Sequence, residues 1–195
     1  MIHSKPIYVP LTWDTSGSSH LLVAHADGGE ALLRLLANAP DTPIAVRYAK
    51  SPLDVSACPA RLAQAAPDSF RNFDTIEAML DSLRADLAAS RMGLRLYLAG
   101  SERFLWRATS IAAGAGLCPD EIRREHVGSL ARAVYCVHCK TIAPQVTTNV
   151  FVCPGCACTL MVRDHYSARL AAYMGVQVDA EAPGTAIPAI ETLYA

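Results

Sequence analysis

Two Cys-x-x-Cys pairs stand in the last third of the chain, Cys136-Val-His-Cys139 and Cys153-Pro-Gly-Cys156, with 13 residues between them. A Cys-x-x-Cys turn lets two thiolates converge on one ion, and two such turns complete a tetrahedron. Cys136, Cys139, Cys153 and Cys156 are therefore read as the four ligands of one metal ion. The spacer falls a little short of the usual four-cysteine zinc pattern. It still holds two short strands, and residues 146–152 are β-branched and alternating. Leu160-Met-Val-Arg163 offers a third strand. These features predict a zinc-ribbon-like module.

Zinc is the expected ion and iron the alternative, because a redox-active iron tetrathiolate uses the same geometry. Rubredoxin knuckles place Gly after the second Cys, whereas Lys140 and Ala157 stand there in this chain, which favours zinc. Disulfides would need an oxidising compartment. Cys158, two residues past a ligand, either tunes the site or is an ordinary strand cysteine. His138, inside the first knuckle, is expected to face outward and is not needed beside four thiolates. Cys58 and Cys118 are isolated and read as structural. Asp164-His165 has the residue types of a catalytic dyad, but Asp164 is better placed to N-cap a last helix. Tyr166, Leu170 and Tyr173 would form its apolar face and Gly175 would close it at C′. No Ser/His/Asp set, paired-carboxylate motif or P-loop emerges, so no catalytic residue is assigned.

The elements before the ribbon alternate. Leu21-Leu22-Val23-Ala24, Ile44-Ala-Val-Arg-Tyr48, Leu94-Arg-Leu-Tyr-Leu-Ala99 and residues 122–127 read as strands. Gly28-Gly29 follows the first strand, and after it comes a short helix carrying Leu32, Leu33, Leu35 and Leu36. Asp74 is placed to start the next, with Glu77 at capping-box spacing and Ile76, Met79, Leu80, Leu83 and Leu87 on one face. Ser101 caps a further helix with Phe104, Ala108, Ile111 and Ala115 on one face. Residues 50–73, with Pro52, Pro59 and Pro67, read as a long irregular connection with room for one helical turn. The expected fold class is α/β, a small parallel-sheet domain followed by the ribbon and a C-terminal helix; an α+β arrangement is the alternative. The divisions are an extended arm over 1–19, the α/β domain over 20–128, ribbon plus helix over 129–176 and a tail over 177–195.

The charge is nearly balanced, 17 Lys+Arg against 18 Asp+Glu, which counts against a nucleic-acid partner. No signal pattern opens the chain and no run is long enough for a membrane span, so a cytoplasmic protein is expected. Hydrophobic residues reach 52%, enough for a packed core.

Residues 20–127 resemble the nucleotide-binding half of ferredoxin–NAD(P) reductases. Leu96-Tyr-Leu-Ala-Gly100-Ser-Glu-Arg-Phe104-Leu-Trp106 is similar to that family's strand-Cys-Gly-Pro-helix motif, and Leu117-Cys-Pro-Asp-Glu-Ile122-Arg-Arg-Glu125 to its closing segment. The phosphate-cradling turn here reads Ala24-His25-Ala26-Asp27-Gly28-Gly29. Asp27 puts a carboxylate where backbone N–H groups would meet pyrophosphate, and Cys-Gly-Pro has become Ala99-Gly100-Ser101. The resemblance implies a retained fold with dinucleotide binding lost.

Over nearly its full length, and most specifically from Cys136 to Gly175, the chain resembles the small A subunits of bacterial dimethylamine monooxygenases, which are haem-dependent oxidative N-demethylases. That resemblance implies a subunit of a hetero-oligomer with a haem-bearing partner and a reductase partner carrying FMN and a 2Fe–2S cluster. The reaction it implies takes dimethylamine, O2 and NAD(P)H to methylamine and formaldehyde. An auxiliary subunit is the first expectation. A rubredoxin-like electron carrier, a free-standing NAD(P)H reductase and a nucleic-acid-binding ribbon are the alternatives.

Overall fold

Apolar runs buried on both sides, alternating with amphipathic segments, produce a parallel sheet covered by helices on each face. The computed structural model describes residues 5–51, 57–66, 69–184 and 186–195. The chain divides into two compact units, residues 8–128 and, in the main, residues 129–195.

The first unit runs β1 (Ser19–His25), α1 (Gly28–Leu36), β2 (Ile44–Ala49), α2 (Cys58–Ala65), β3 (Phe70–Phe73), α3 (Ile76–Ala88), β4 (Leu94–Gly100), α4 (Glu102–Gly114) and β5 (Ile122–His126). Strand order is β3-β2-β1-β4-β5, with every neighbouring pair parallel. This is the doubly wound order without its sixth strand, β1 to β3 forming one mononucleotide-binding half. The period of two in β1 splits the core. Leu21 and Val23 pack with Met79, Leu83, Phe104 and Leu105 on one face. Leu22 and Ala24 pack with Leu32, Leu35, Tyr48 and Leu62 on the other.

Three boundaries differ from expectation. Thr75, not Asp74, is the N-cap of α3, and its hydroxyl accepts from the Ala78 N–H at 3.2 Å. The connection over 50–73 holds α2 and β3; Pro59 sits in the first turn of α2, where a missing N–H costs nothing. Residues 52–56 and 67–68, with Pro52 and Pro67, lie outside the described residues. So do residues 1–4 of the arm, while its later part is strapped down. Leu11 is buried, Trp13 Nε1 donates to the Leu35 carbonyl, and the Asp14 carboxylate accepts from Arg95 at 2.9 Å and Arg123 at 3.2 Å.

The second unit contains β6 (Arg132–Cys136), β7 (Ile142–Val146), β8 (Val150–Val152), β9 (Thr159–Ser167) and β10 (Ala172–Gln177). Their order is β7-β6-β10-β9-β8; β6 and β10 run parallel and the other pairs antiparallel. The expected C-terminal helix is overturned: residues 164–175 are the end of β9, a turn and most of β10. Tyr166 and Tyr173 are direct partners across that hairpin, rings edge-on at 4.9 Å. Seven residues apart, they fit a helix face as well as a hairpin, and the aromatic pair favours the strands. Asp164 lies within β9, where it accepts from Arg132 at 2.8 Å. Gly175 lies in β10, where a Cβ would meet Val134 Cγ1 at 2.8 Å. The spacer between the cysteine pairs holds two short strands, as expected, β7 and β8, with residues 147–149 as the connection.

The tail returns to its own unit. Leu193 and Tyr194 N–H groups donate to the Thr147 carbonyl, and Asn149 exchanges hydrogen bonds with Ala189 and Glu191. Ile187, Ile190 and Leu193 remain exposed. Among the described residues no helix is long and apolar enough to cross a membrane.

Candidate metal centre

Each Cys-x-x-Cys pair forms the turn of a hairpin, the first between β6 and β7 and the second between β8 and β9. Lys140 N–H donates to the Cys136 carbonyl at 2.9 Å, and Ala157 N–H to the Cys153 carbonyl at 3.0 Å. Both residues take positive φ, 71° and 59°, a conformation uncommon outside glycine. The knuckles therefore adopt the backbone that Gly would favour, and residue type at these two positions loses its force as a reason to prefer zinc over iron. The turns aim N–H groups at sulfur: Cys139 N–H at Cys136 Sγ, 3.5 Å, and Gly155 N–H at Cys153 Sγ, 3.4 Å.

The structure brings all four predicted ligands together. Cys136 and Cys156 Sγ are 3.8 Å apart, Cys139 and Cys153 Sγ 3.6 Å, and all four lie within 4.8 Å of one another. A tetrahedral ion with bonds of about 2.3 Å sets sulfurs roughly 3.8 Å apart. Disulfide sulfurs stand at about 2.05 Å, and all seven cysteines here are free thiols. Cys136 and Cys153 are buried and the other two half-buried. Hydrogen bonds from the Thr141 hydroxyl and backbone draw the Cys139 thiol down to about 6, while burial pushes Cys136 up. Four sulfurs this close cannot all be charged without a cation between them. The donor set thus fits a thiophilic ion that prefers tetrahedral geometry. The second knuckle also depends on Gly155, whose Cβ would meet Thr141 Oγ1 at 2.3 Å and Cys139 Sγ at 3.0 Å. Neither Thr141 nor Gly155 stood out in the sequence; the Thr directly after a knuckle was the available signal. His138 faces outward, and Cys158 lies half-buried beside it.

The other candidate site is the β1–α1 turn. Ligands of such sheets sit outside the carboxyl ends of the strands, where the order switches between β1 and β4; His25, Asp27 and Ser101 gather there. Asp27 is exposed in front of α1 and makes no side-chain cap bond. The glycines are explained by packing alone. A Cβ on Gly28 would sit 2.1 Å from the Ala99 carbonyl oxygen, and one on Gly29 2.3 Å from Cys58 Sγ. Cys58 is accordingly buried, whereas Cys118 is exposed and is not the structural thiol expected. Glu125, from the closing segment, accepts from the Leu11 N–H and Arg34. A cleft of about 900 Å³, lined by Arg84, Arg91, Leu94 and Glu121, opens at the other end of β4.

Residues 1–122 match the family described as dimethylamine monooxygenase subunit DmmA-like, N-terminal domain, and residues 133–176 match its C-terminal domain. A curated protein of Ectopseudomonas mendocina (strain ymp), named heme-dependent oxidative N-demethylase delta subunit, is 39% identical over 112 residues. That stretch spans 57% of this chain and 64% of the relative. Among solved structures, an intact type IV self-sufficient cytochrome P450 monooxygenase superposes with a TM-score of 0.46 at 22% identity, over 86% of this chain and 21% of that one. An Amycolatopsis cytochrome P450 reductase gives a TM-score of 0.41 at 16% identity, over 58% and 38%. With both of its domains matched, the chain belongs to the dimethylamine monooxygenase subunit DmmA-like family.

Proposed function

We propose that this chain is a non-catalytic subunit of a cytoplasmic, haem-dependent N-demethylase that converts dimethylamine to methylamine and formaldehyde with O2 and NAD(P)H. In this reading it holds a haem-bearing subunit and a flavin and 2Fe–2S reductase subunit together and performs no step itself. The observation that carries it is the state of the sheet's switch point. Asp27 stands before α1, the space beside Gly28 and Gly29 is filled by neighbouring backbone and side chains, and Glu125 is engaged by Leu11 of the arm and Arg34 of α1. The name of the Ectopseudomonas mendocina relative supports the assembly. Cys136, Cys139, Cys153 and Cys156 would hold Zn2+ in a structural role. Zinc bound there would supply folding free energy, about 10–16 kcal/mol in comparable small modules.

A second reading, a one-electron carrier with iron in the same tetrathiolate, stands beside it because the left-handed backbone at Lys140 and Ala157 removes the residue-type argument against iron. Metal analysis of the purified chain separates the two, since red, redox-active protein would select iron. The functional test is reconstitution of dimethylamine-dependent NAD(P)H oxidation from the haem and reductase subunits, with and without this chain. Coupled turnover should require it, and a Cys153→Ser, Cys156→Ser chain should behave like its omission. Full coupled demethylation without the chain would overturn the proposal.

A further inference from the structure

Two residues that the tetrathiolate leaves unused, His138 and Cys158, come together on its surface. Cys158 Sγ lies 4.0 Å from His138 Nδ1, and a ring nitrogen of His138, Cys156 Sγ and Cys158 Sγ all fall within 4.8 Å of one another. His138 is on the exposed turn of the first knuckle and Cys158 follows the second, so each hairpin contributes. A tetrahedral zinc-like ion with one thiolate and one imidazole ligand sets that S···N separation at about 3.5 Å. The observed pair is only slightly wider, and a side chain on an open turn can close the difference.

We propose that His138 Nδ1, Cys158 Sγ and Cys156 Sγ form a second, weaker site for a thiophilic divalent cation, with Cys156 bridging it to the first. The proposal rests on the metal reading of the four-cysteine centre and extends it. Four thiolates around a divalent ion leave that centre with two surplus negative charges, and a thiolate bound to one ion keeps lone pairs for another. A neighbouring cation is therefore attracted, and Cys158 supplies one further thiolate to hold it. Soft sulfur and imidazole donors select zinc-like ions over magnesium or calcium. Three protein ligands leave the fourth position open to water. His138 also borders a cleft of about 790 Å³ lined by Met161, Arg163, His165 and Met174, which gives that position access to solvent. Binding moves no electrons; it releases the Cys158 proton.

The test is a Co2+ titration of the reduced, metal-free full chain, followed by thiolate charge-transfer absorption and electron paramagnetic resonance. The wild-type chain should take two equivalents, the second more weakly. The resonance signal should rise through the first equivalent and fall through the second, because a shared thiolate couples the two spins. Cys158→Ser and His138→Ala should each stop at one equivalent with the first step intact, while Cys118→Ser should still take two. A wild-type chain that saturates at one equivalent would overturn the second site and leave the tetrathiolate standing. No binding at all would overturn both. Two equivalents retained in Cys158→Ser, or a second equivalent with no loss of signal, would place the second ion elsewhere and equally defeat the proposal.

Discussion

Arg132 is 6% exposed, with its guanidinium 4.0 Å from the Tyr173 ring centre and 3.9 Å from that of Tyr194. A desolvated cation–π contact contributes about 1–2 kcal/mol, and the ion pair to exposed Asp164 less than about 1 kcal/mol. Arg132→Ala should lower the unfolding free energy by about 3 kcal/mol in urea denaturation of metal-loaded protein. Arg132→Lys should recover little, since an ammonium cannot stack between two rings. The four sulfurs predict a pH dependence. Free thiols titrate near 8.5 and a bound ion depresses them, so metal-linked stability is full above that value and lost as pH falls. Cys139, already drawn down to about 6, gives up less of its proton on binding than the others. Chelator competition should show affinity falling by roughly three decades per pH unit between about pH 8 and 6. A change of less than about tenfold per unit would contradict four thiolate ligands. The convergence of these four sulfurs is legible in the sequence because Cys-x-x-Cys spacing is a direct record of it. Thr141 and Gly155 are not, because a hydrogen bond to sulfur and a close approach of two turns leave no periodic trace.

At the level of elements, the glycine pair before α1 sets how near that helix comes to the sheet. Gly28→Ala would place a methyl 2.1 Å from the Ala99 carbonyl oxygen, so α1 must move away from β4. Overpacking against backbone costs about 3 kcal/mol or more. Gly114→Ala, at the end of α4 with open space around it, should be neutral or stabilise by up to about 1 kcal/mol. Thermal denaturation of the two variants tests the contrast; equal melting points would mean that α1 is not held against β4. The central strands β1 and β4 were readable as apolar runs because both faces are covered. The four-residue edge strand β3, Phe-Arg-Asn-Phe, is too short to show a period. Pro59 marks a helix start but reads equally as punctuation, since proline breaks or begins a helix depending on context that the sequence does not carry. The β9–β10 hairpin reads as a helix in the sequence because Tyr166, Leu170 and Tyr173 also satisfy the helical repeat.

For the whole molecule, the proposed loss of the nucleotide site from a nucleotide fold makes a plain expectation. Calorimetry of the isolated chain with NADH or NADPH at millimolar concentration should show no saturable heat, and the chain should reduce no dye. A clear isotherm for either nucleotide would revive a reductase role. The order in which the second sheet is assembled has its own effect on synthesis. β10 lies between β6 and β9, so the two knuckle-bearing hairpins meet through the strand that the ribosome makes last. All four cysteines leave the exit tunnel before Gln177 does, and at about 5–20 residues per second the interval from Cys156 lasts on the order of one to four seconds. During that interval a captured ion would be the clasp between two otherwise separate hairpins. Metal supply while the chain is being translated would then govern how much of it reaches the folded state.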